Sequence, residues 1–341
     1  MTTVPSKQRD RQRSWSLYTE RRKPGEYEIV THRLNYHFRR QPAPFELSPD
    51  MPLNRWYLRY REGSPFQVED WEGFRDPARL TYRAYVQRQR ERELYLDNLI
   101  DEFERKDHYA HLSQAWVRVL ERLYLPSRFA GHILQMQTLY VSQMAPSSYI
   151  TVALHFQGGD EMRRVQRSAY LAKALSFYHY PELAQSESTR RIWEEDAAWQ
   201  PMRELLEKLL VAYDWGEAFA ALTLVVKPVY DAMFNEQLAV LARKNEDLLL
   251  ALIADDFALD TKRHQETACA LVNYAIQHKP ELHELLVDWV KKWSPLAQRA
   301  VTGLSSYLEG APHALAADQV KAVIDERWQA FLSECGIAKQ D

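Results

Sequence analysis

Glycine is scarce in this sequence, with 10 residues in a chain of 341, about half the usual share of roughly 7%. This scarcity disfavours turn-rich β-sandwiches and folds that bind nucleotides through glycine-rich loops. The nucleophile-elbow motif G-x-S-x-G, the Walker A lysine loop and the G-x-G-x-x-G motif are all absent. The sequence therefore gives no support to an α/β-hydrolase, a P-loop NTPase or a Rossmann enzyme.

Cysteine is almost as rare. Cys269 and Cys335 are too few for a disulfide framework or a thiolate metal site, so a reducing compartment is expected. The net charge of −3 gives no broad attraction to nucleic acid or to anionic membranes. The longest nearly apolar run, from Ala218 to Val226, is far shorter than the about 20 residues of a membrane span. The polar, basic N-terminus lacks the apolar segment of a signal peptide. We expect a cytoplasmic protein without nucleic-acid or membrane partners.

Residues 1–76 differ in composition from the rest of the chain. Seven prolines interrupt any helical period, yet the segment is rich in Trp and Tyr, unlike disordered segments. We therefore predict an ordered, extended N-terminal arm that packs against a partner chain rather than only against its own helices. Large aromatic side chains are suitable anchors for such an interface, and the predicted anchors are Trp15, Tyr27, Tyr36, Trp56 and Tyr57.

Apolar residues at helical spacing predict helices over most of the remainder. Asp76 followed by Pro77 indicates the first helix start, and the clearest periodicity runs from Met202 to Tyr213 and turns apolar all round before Pro228. The other predicted helices cover about 112–144 with a bend at Pro126, 160–179, 234–254, 256–278, 281–292, 295–308 and 315–334. We predict an all-α fold with the arm at 1–76, one helical domain at 77–309 and a peripheral helix in 310–341.

A helical domain of this size invites a test for a diiron site. Such a site needs carboxylates from two helices and a Glu-x-x-His pair on each of two others. None of the 11 histidines has Asp or Glu three residues before it. The motif is absent, and we expect no metal site in this chain.

Two weaker constellations each have a chemical and a structural interpretation. Glu104, His108 and His111 would share a helix face and are either metal ligands or, as we favour, part of a solvated charged face. Asp255 and Asp256 precede a predicted helix and are most simply acidic charges matched to the helix dipole.

Asp214 and Glu217, at i and i+3 in a buried helix, form a third constellation. They either hold a metal or proton, or pair with Arg and cap a neighbouring backbone, which we favour. The chemical interpretation leads to a rival function: a self-sufficient ferritin-like oxidase with a nonstandard site built from Asp214, Glu217 and His264. A second rival is a stand-alone helical adaptor protein.

Several short segments occur in a recognisable order over about residues 13–300. They are Trp15-Ser16, Arg22 to Tyr27, Glu46 to Asp50, Asp76-Pro77 with Tyr82-Arg83, Gln143 to Pro146, Trp193-Glu194 with Trp199-Gln200, Asp214 to Phe219, Val225 to Pro228, and Trp289 with Trp293 to Ala297. As an ordered set they resemble the hydroxylase β subunit of toluene-type, four-component bacterial diiron monooxygenases. The stretch after about residue 308 has no counterpart.

The resemblance implies a ferritin-like, ribonucleotide-reductase-like bundle and a non-catalytic role. In this family a diiron centre lies in the α subunit of an (αβγ)2 hydroxylase. A coupling protein, a Rieske-type ferredoxin and an NADH reductase with FAD and iron–sulfur clusters act with it. Relatives insert one oxygen atom of O2 into toluene, benzene, isoprene or simple alkenes. Because the resemblance is interrupted, it slightly favours alkene epoxidation over ring hydroxylation.

The resemblance also implies that two histidines remain from a metal site that was lost. His132 and His264 are preceded at −3 by Phe129 and Thr261, where the α subunit would have glutamate. A phenylalanine cannot ligate iron, and one threonine hydroxyl does not replace a bridging carboxylate. We therefore expect both histidines to be hydrogen-bonded core residues that remain from a lost metal site.

Overall fold

The computed structural model describes residues 22–33 and 50–337, and this part of the chain is helical and contains no strand. Trp15 and Tyr36 lie outside the described residues. The α-helices are α1 (Glu26–Ile29), α2 (Pro52–Tyr57), α3 (Tyr82–Glu104), α4 (His108–His111), α5 (Gln114–Val119), α6 (Ser127–Met144), α7 (Ser148–Tyr178), α8 (Ser186–Glu195), α9 (Gln200–Leu210), α10 (Trp215–Ala220), α11 (Lys227–Asp231), α12 (Leu238–Lys244), α13 (Leu248–His278), α14 (Leu282–Glu309) and α15 (Ala317–Glu334). The all-α prediction is confirmed.

Two antiparallel helix pairs form the centre of the fold. Helices α6 and α7 make one pair. In the other, α10, α11 and α12 follow one another through two π-helical segments, Ala221–Val226 and Ala232–Gln237. These two segments, α11 and α12 pack against α13. Helix α7 also packs on α13, which closes the bundle. Helices α3, α9, α14 and α15 flank this bundle. No helix in the described ranges is long and apolar enough to cross a membrane.

The glycine pair Gly158-Gly159 lies inside α7 rather than before a helix start. A Cβ at Gly158 would lie 2.8 Å from Leu139, and one at Gly159 would lie 2.5 Å from the hydroxyl of Tyr85. Both positions let neighbouring helices approach the backbone closely. Helix α7 therefore begins at Ser148, earlier than the predicted start near residue 160, because packing outweighs the low helix propensity of glycine.

The first long helix begins later than predicted. Helix α3 starts at Tyr82, where Thr81 accepts a hydrogen bond from the backbone N–H of Ala84 at 3.2 Å. Asp76, the predicted N-cap, is buried and instead accepts a hydrogen bond from the hydroxyl of Thr267 at 2.7 Å. The predicted helix start at Asp76-Pro77 is therefore wrong. Asp76 instead links the end of the arm to α13.

Two of the predicted helices are interrupted, and in each an aspartate caps a new helix. The helix that was predicted to run from Met202 past Tyr213 ends at Leu210, and Asp214 caps a new one by accepting from Glu217 N at 2.9 Å. Asp247 caps α13 by accepting from Leu250 N at 3.1 Å. The predicted division at about residue 255 is wrong, because α13 continues through Asp255 and Asp256.

Helix α14 continues through Pro295, so the predicted division between residues 292 and 295 is also wrong. Proline has no N–H to donate to the carbonyl of Lys291, which weakens the helix at this point. The Ser294 hydroxyl donates to the carbonyl of Val290 at 2.5 Å. The predicted C-terminal helix is present as α15.

A disulfide joins Cys269 on α13 to Cys335, the residue that follows α15, across a sequence separation of 66 residues. Sequence analysis, with its expectation of a reducing compartment, did not predict this bond. Spacing along the chain does not reveal whether its two cysteines meet in the fold. The bond fastens the peripheral helix to the central bundle.

The described part of the arm is not extended throughout. Helix α2 continues into a π-helical segment, Leu58–Glu62. Pro52 is tolerated because it stands at the first helical position, where no intrahelical bond is lost. Downstream, Phe66 is fully buried against Trp71, Trp215 and Phe219, with ring centroids 5.3 to 6.0 Å apart. The arm therefore belongs to the hydrophobic core at its C-terminal end.

Candidate functional site

A cluster of buried ions lies between α3, α7, α11 and α13, and we call it the charge cluster. Its ten side chains are at most 14% exposed. The acids are Asp160, Glu161, Asp231, Asp256 and Asp260, and the bases are Arg92, Arg163, Arg164, Lys227 and Arg263. Five acids and five bases make the cluster neutral, which is the condition under which buried charges are tolerated.

The outer layer of the charge cluster joins α3 to α13. Arg92 on α3 contacts Asp256 at 2.9 Å and also contacts Asp260. Arg163 on α7 contacts the same two carboxylates, at 2.5 Å and 3.0 Å. Each carboxylate thus receives two guanidinium groups from two different helices, so the layer fixes three helices to one another.

Asp160 on α7 accepts hydrogen bonds from four donors. They are the hydroxyl of Tyr85 at 2.9 Å, the amide of Gln89 at 2.6 Å, the guanidinium of Arg263 and Nε2 of His264 at 2.8 Å. Burial raises the pKa of the Asp160 carboxyl, whereas the Arg263 guanidinium and the hydrogen bond from Tyr85 lower it. When this carboxyl is ionised it can only accept, so the Nε2 of His264 carries the proton. Burial lowers the pKa of His264 well below its usual range, and Lys227 and Arg263 lower it further. His264 is a neutral donor.

The inner layer lies between α7, α11 and α13. The ammonium of Lys227 contacts Glu161 and lies 3.1 Å from Asp231. The guanidinium of Arg164 lies 2.5 Å from Asp231 and 3.6 Å from Glu161, and it donates to the Thr261 hydroxyl at 3.0 Å. Burial alone raises the pKa of the Asp231 carboxyl, but Arg164 and Lys227 lower it to about 2. Asp231 is therefore ionised in the folded protein.

The inner layer has the spacing of a diiron site without its ligands. Glu161 and Arg164 stand at i and i+3 on α7, Thr261 and His264 stand at i and i+3 on α13, and the hydrogen bond between Arg164 and Thr261 shows that the two pairs converge. A diiron site needs Glu-x-x-His in both places. One pair here ends in a permanent cation, and the other begins with a neutral hydroxyl.

The residues present therefore do not fit a dinuclear iron centre. A metal ion next to the Arg164 guanidinium and the Lys227 ammonium would meet two positive charges at the place where it needs lone pairs. Within residues 22–33 and 50–337, no three His, Cys, Asp or Glu side chains are grouped so that they could hold a metal ion.

The rival site built from Asp214, Glu217 and His264 is not assembled by the fold. Asp214 caps α10 and accepts from the Ser64 hydroxyl at 2.9 Å. Glu217 accepts from Lys292 at 2.6 Å and from the indole of Trp293 at 3.0 Å. His264 contacts Asp160 in the charge cluster. The structural interpretation is confirmed for Asp214, which is a cap, whereas Glu217 pairs with Lys292 rather than with Arg.

Glu104, His108 and His111 do not share a helix face, because α3 ends at Glu104 and α4 begins at His108. The expected solvated face is wrong for His108, whose Nε2 lies 3.0 Å from the buried carboxylate of Asp247. Glu104 accepts from Tyr170 instead, at 2.8 Å.

Asp255 and Asp256 lie in the interior of α13, so their assignment to a helix N-terminus is wrong. Asp255 is exposed and pairs with Arg243, whereas Asp256 belongs to the charge cluster. The two neighbours point to different faces of one helix, which is why they differ in burial.

The two histidines expected in the core have different positions. His264 is buried and hydrogen-bonded, as expected. His132 is exposed on α6, so the expectation of a core histidine is wrong there. The pair that faces Thr261 and His264 is Glu161 and Arg164 on α7, and a search for histidines alone could not find it.

Three of the predicted arm anchors lie within the described residues, and each contacts this chain's own helices. Tyr27 is 9% exposed and packs against Tyr149 at the start of α7, with ring centroids 5.5 Å apart and the ring planes tilted by 49°. The Trp56 indole donates to the Tyr140 hydroxyl at 3.1 Å. The Tyr57 hydroxyl accepts from Gln143, also at 3.1 Å. Their role at a partner interface stays a prediction.

Sequence reasoning missed the charge cluster as a whole. The signal was present: α7 carries Asp160, Glu161, Arg163 and Arg164 within a helix whose other turns are rich in Leu, Ala and Phe. Such a run is usually solvated. Only the matching charges on α13, about 100 residues away in the chain, show that it is buried.

Comparison with known proteins gives a consistent result. The sequence profile of the methane/phenol/alkene hydroxylase family matches residues 56–279. The β subunit of the toluene-4-monooxygenase hydroxylase component from Ectopseudomonas mendocina is 40% identical over 297 residues, covering 87% of this chain and 90% of the relative. The small subunit of the propane 2-monooxygenase hydroxylase component from Gordonia sp. strain TY-5 is 22% identical, covering 72% of this chain and 67% of the relative.

A solved structure of toluene 4-monooxygenase with toluene bound in its resting active site superposes with a TM-score of 0.79 at 40% identity. The match covers 83% of this chain and 94% of that chain. The family profile covers more than half of the chain, and the helical bundle described above agrees with it. The chain therefore belongs to the methane/phenol/alkene hydroxylase family, as a hydroxylase β subunit of a multicomponent monooxygenase.

Proposed function

We propose that this chain is a non-catalytic scaffold that holds an iron-bearing α subunit in the geometry its metal ligands require. The observation that carries the proposal is the inner layer of the charge cluster. There Arg164 and Thr261 stand at convergent positions where a diiron site would need His and Glu, and the Lys227 ammonium contacts Glu161 beside them. A bundle with this interior can shape a neighbouring active site but supplies no ligands for one.

We further propose an (αβγ)2 hydroxylase in which α carries the diiron centre and γ is peripheral. Electrons would come from NADH through a reductase with FAD and iron–sulfur clusters and a Rieske-type ferredoxin, and a coupling protein would regulate the hydroxylase. The family resemblance supports this set of partners. We expect the system to work in the cytoplasm, where NADH is available to the reductase.

The overall reaction that we propose is insertion of one oxygen atom of O2 into a small hydrocarbon. When bound in the α subunit, the diiron centre supplies the oxygen-activating chemistry. Relatives named for toluene and phenol favour ring hydroxylation, rather than the alkene epoxidation that the interrupted resemblance suggested. The residues of this chain contribute to the reaction only by holding the α subunit in its required geometry.

The described arm supports a partner interface on its outer side. Its aromatic side chains pack inward, while Ile29, Val30 and Leu53 are 44%, 46% and 54% exposed. These exposed apolar side chains on the described part of the arm are candidates for an interaction surface. We propose that these aliphatic residues, with Trp15 and Tyr36, contact the α subunit.

Co-purification tests the proposal. A tag on this chain, co-expressed with the hydroxylase components encoded beside it, should recover a larger subunit in equal amount. That subunit should carry two Glu-x-x-His motifs and essentially all of the iron. After the subunits are separated, this chain should retain well under one iron.

The two rival functions give different results in the same experiment. A self-sufficient oxidase would retain about two irons on this chain without its partner, and a general adaptor would recover no hydroxylase subunit in stoichiometric amount. Either result would reject the scaffold role.

A further inference from the structure

Lys227 is almost fully buried, with a side chain that is 4% exposed. Its ammonium contacts Glu161 and lies within 3.2 Å of Asp231. Glu161 is 0% exposed and Asp231 is 3% exposed. Two buried carboxylates on different helices therefore share one ammonium group.

Two such carboxylates need positive charge between them. Without it, their desolvation would not be offset and their mutual repulsion would act in a medium of low dielectric constant. In metal-binding bundles a metal pair supplies that charge. Here Lys227 and Arg164 supply two positive charges against the two carboxylates. Both cations are side chains of the bundle itself, not bound ions.

We propose that Lys227 and Arg164 are built-in counter-cations, so that α7, α11 and α13 close without any metal. The carboxylates of Glu161 and Asp231 form a cation site whose occupant is the chain's own lysine. This property concerns the folding of this chain and goes beyond its scaffold role: it explains how the subunit can keep the bundle while all iron stays in the partner.

The test is charge compensation. Lys227→Met removes one cation and leaves Glu161 and Asp231 against Arg164 alone. Asp231→Asn in the same chain then removes one anion and restores neutrality with nearly unchanged volume. If the lysine acts as a counter-cation, the double variant should be more stable than Lys227→Met, although it carries one substitution more.

The measurement is peptide-resolved hydrogen exchange on the full-length chain in the assembled hydroxylase. Peptides that cover residues 227–231 and 261–264 should exchange at least tenfold faster in Lys227→Met and should regain most of their protection in Lys227→Met/Asp231→Asn. The matched control is Lys208→Met, which removes an exposed lysine paired with Glu204 on α9, and it should leave both peptides unchanged.

Three results would overturn the proposal. The first is a double variant no better protected than Lys227→Met, and the second is a Lys227→Met that behaves like Lys208→Met. The third is a wild-type chain in which added Mn²⁺ slows exchange at these peptides, because the site would then take a metal. If Lys227→Met does not accumulate, recovery of soluble protein by Asp231→Asn replaces exchange as the measurement. Iron content and co-purification remain the test of the scaffold role, so the two proposals fail separately.

Discussion

The acids and bases of the charge cluster are equal in number, and this balance decides whether their charges are tolerated in the core. Removing one member of a buried pair leaves an uncompensated charge and costs roughly 3–5 kcal/mol, whereas the intact pair contributes little net stability. The charge cluster therefore specifies which helices meet rather than adding to stability. Every residue in it should tolerate a paired change better than a single one.

His264 is a neutral side chain that contacts Asp160 of the charge cluster, and its burial predicts a dependence of stability on pH. It faces Asp160 on α7 and is surrounded by Lys227, Arg164, Arg263 and Asp260. The unfolded imidazole has a pKa of about 6.5, and the folded pKa lies well below it. The unfolded state thus binds more protons below pH 6.5, and the stability from neutral His264 is complete above that pH and is lost as the pH falls.

We expect the free energy of unfolding to decrease by about 1.4 kcal/mol per pH unit below pH 6.5 because of this group. His264→Gln keeps a donor toward Asp160 and removes the titration, so the apparent melting temperature should depend less on pH between 7 and 5. Thermal melts of the assembled hydroxylase measure this. His132→Gln, which changes an exposed histidine, should keep the wild-type slope. An equal slope in His264→Gln would show that the imidazole is not buried in its neutral form.

Prediction from sequence succeeded where a residue's neighbours lie on its own helix and failed where they lie on another. The spacing from Met202 to Leu209 marks the buried side of α9, because one amphipathic helix carries the whole pattern. Asp256 and Arg163 look like surface charges along the chain. Their burial depends on each other and on Arg92, and so on a fold that no single segment reveals.

At the level of elements, the junction between the arm and α10 depends on Gly216. A Cβ at this position would lie 2.3 Å from the Cβ of Phe66 and 3.0 Å from the hydroxyl of Ser64. Phe66 is fully buried, so neither partner can move away cheaply. The absence of a side chain at Gly216 lets the arm reach the N-terminus of α10, where Ser64 bonds to the capping Asp214.

Gly216→Ala should therefore destabilise the subunit by about 1–3 kcal/mol, the usual cost of overpacking, although alanine favours helices over glycine. Urea titration of the assembled hydroxylase should show a lower midpoint for this chain. Gly310→Ala is the control, because its Cβ would meet no atom closer than 3.5 Å. A Gly216→Ala variant as stable as the control would mean that the arm is not seated on α10.

A second prediction at the level of elements concerns the disulfide between Cys269 and Cys335, which links α13 to the end of α15. It closes a loop of 66 residues that includes α14 and α15. On a chain-entropy basis such a loop contributes up to about 4 kcal/mol. Reductant should therefore lower the melting temperature and increase proteolysis between α14 and α15. Cys335→Ser should reproduce this loss, and reductant should have no further effect on the variant. If reductant destabilises Cys335→Ser as much as the wild type, the bond does not account for the change.

In the whole molecule, the arm has two sides with different roles. In its described part, the inner side belongs to the core through Phe66, Trp56 and Tyr27, so these residues are in place before any partner binds. Its outer side exposes aliphatic residues that no other described part of the chain covers. A prepositioned segment loses little conformational entropy on binding, which suits a scaffold that must set the geometry of its partner.

Leu53→Glu tests whether the outer side of the arm contacts a partner subunit in the assembly. The side chain is 54% exposed on α2, so the carboxylate should cost this subunit little stability, whereas burying it against a partner would leave an unpaired charge. We expect the yield of co-purified larger subunit to decrease at least tenfold, while circular dichroism of the variant remains that of a folded helical protein. Leu259→Glu adds the same charge to a leucine that is 61% exposed on α13 and does not belong to the arm, and this variant should assemble normally. Normal assembly of Leu53→Glu would show that the partner lies against another face of the bundle, and that the aliphatic side of the arm is solvent-exposed in the complex as well.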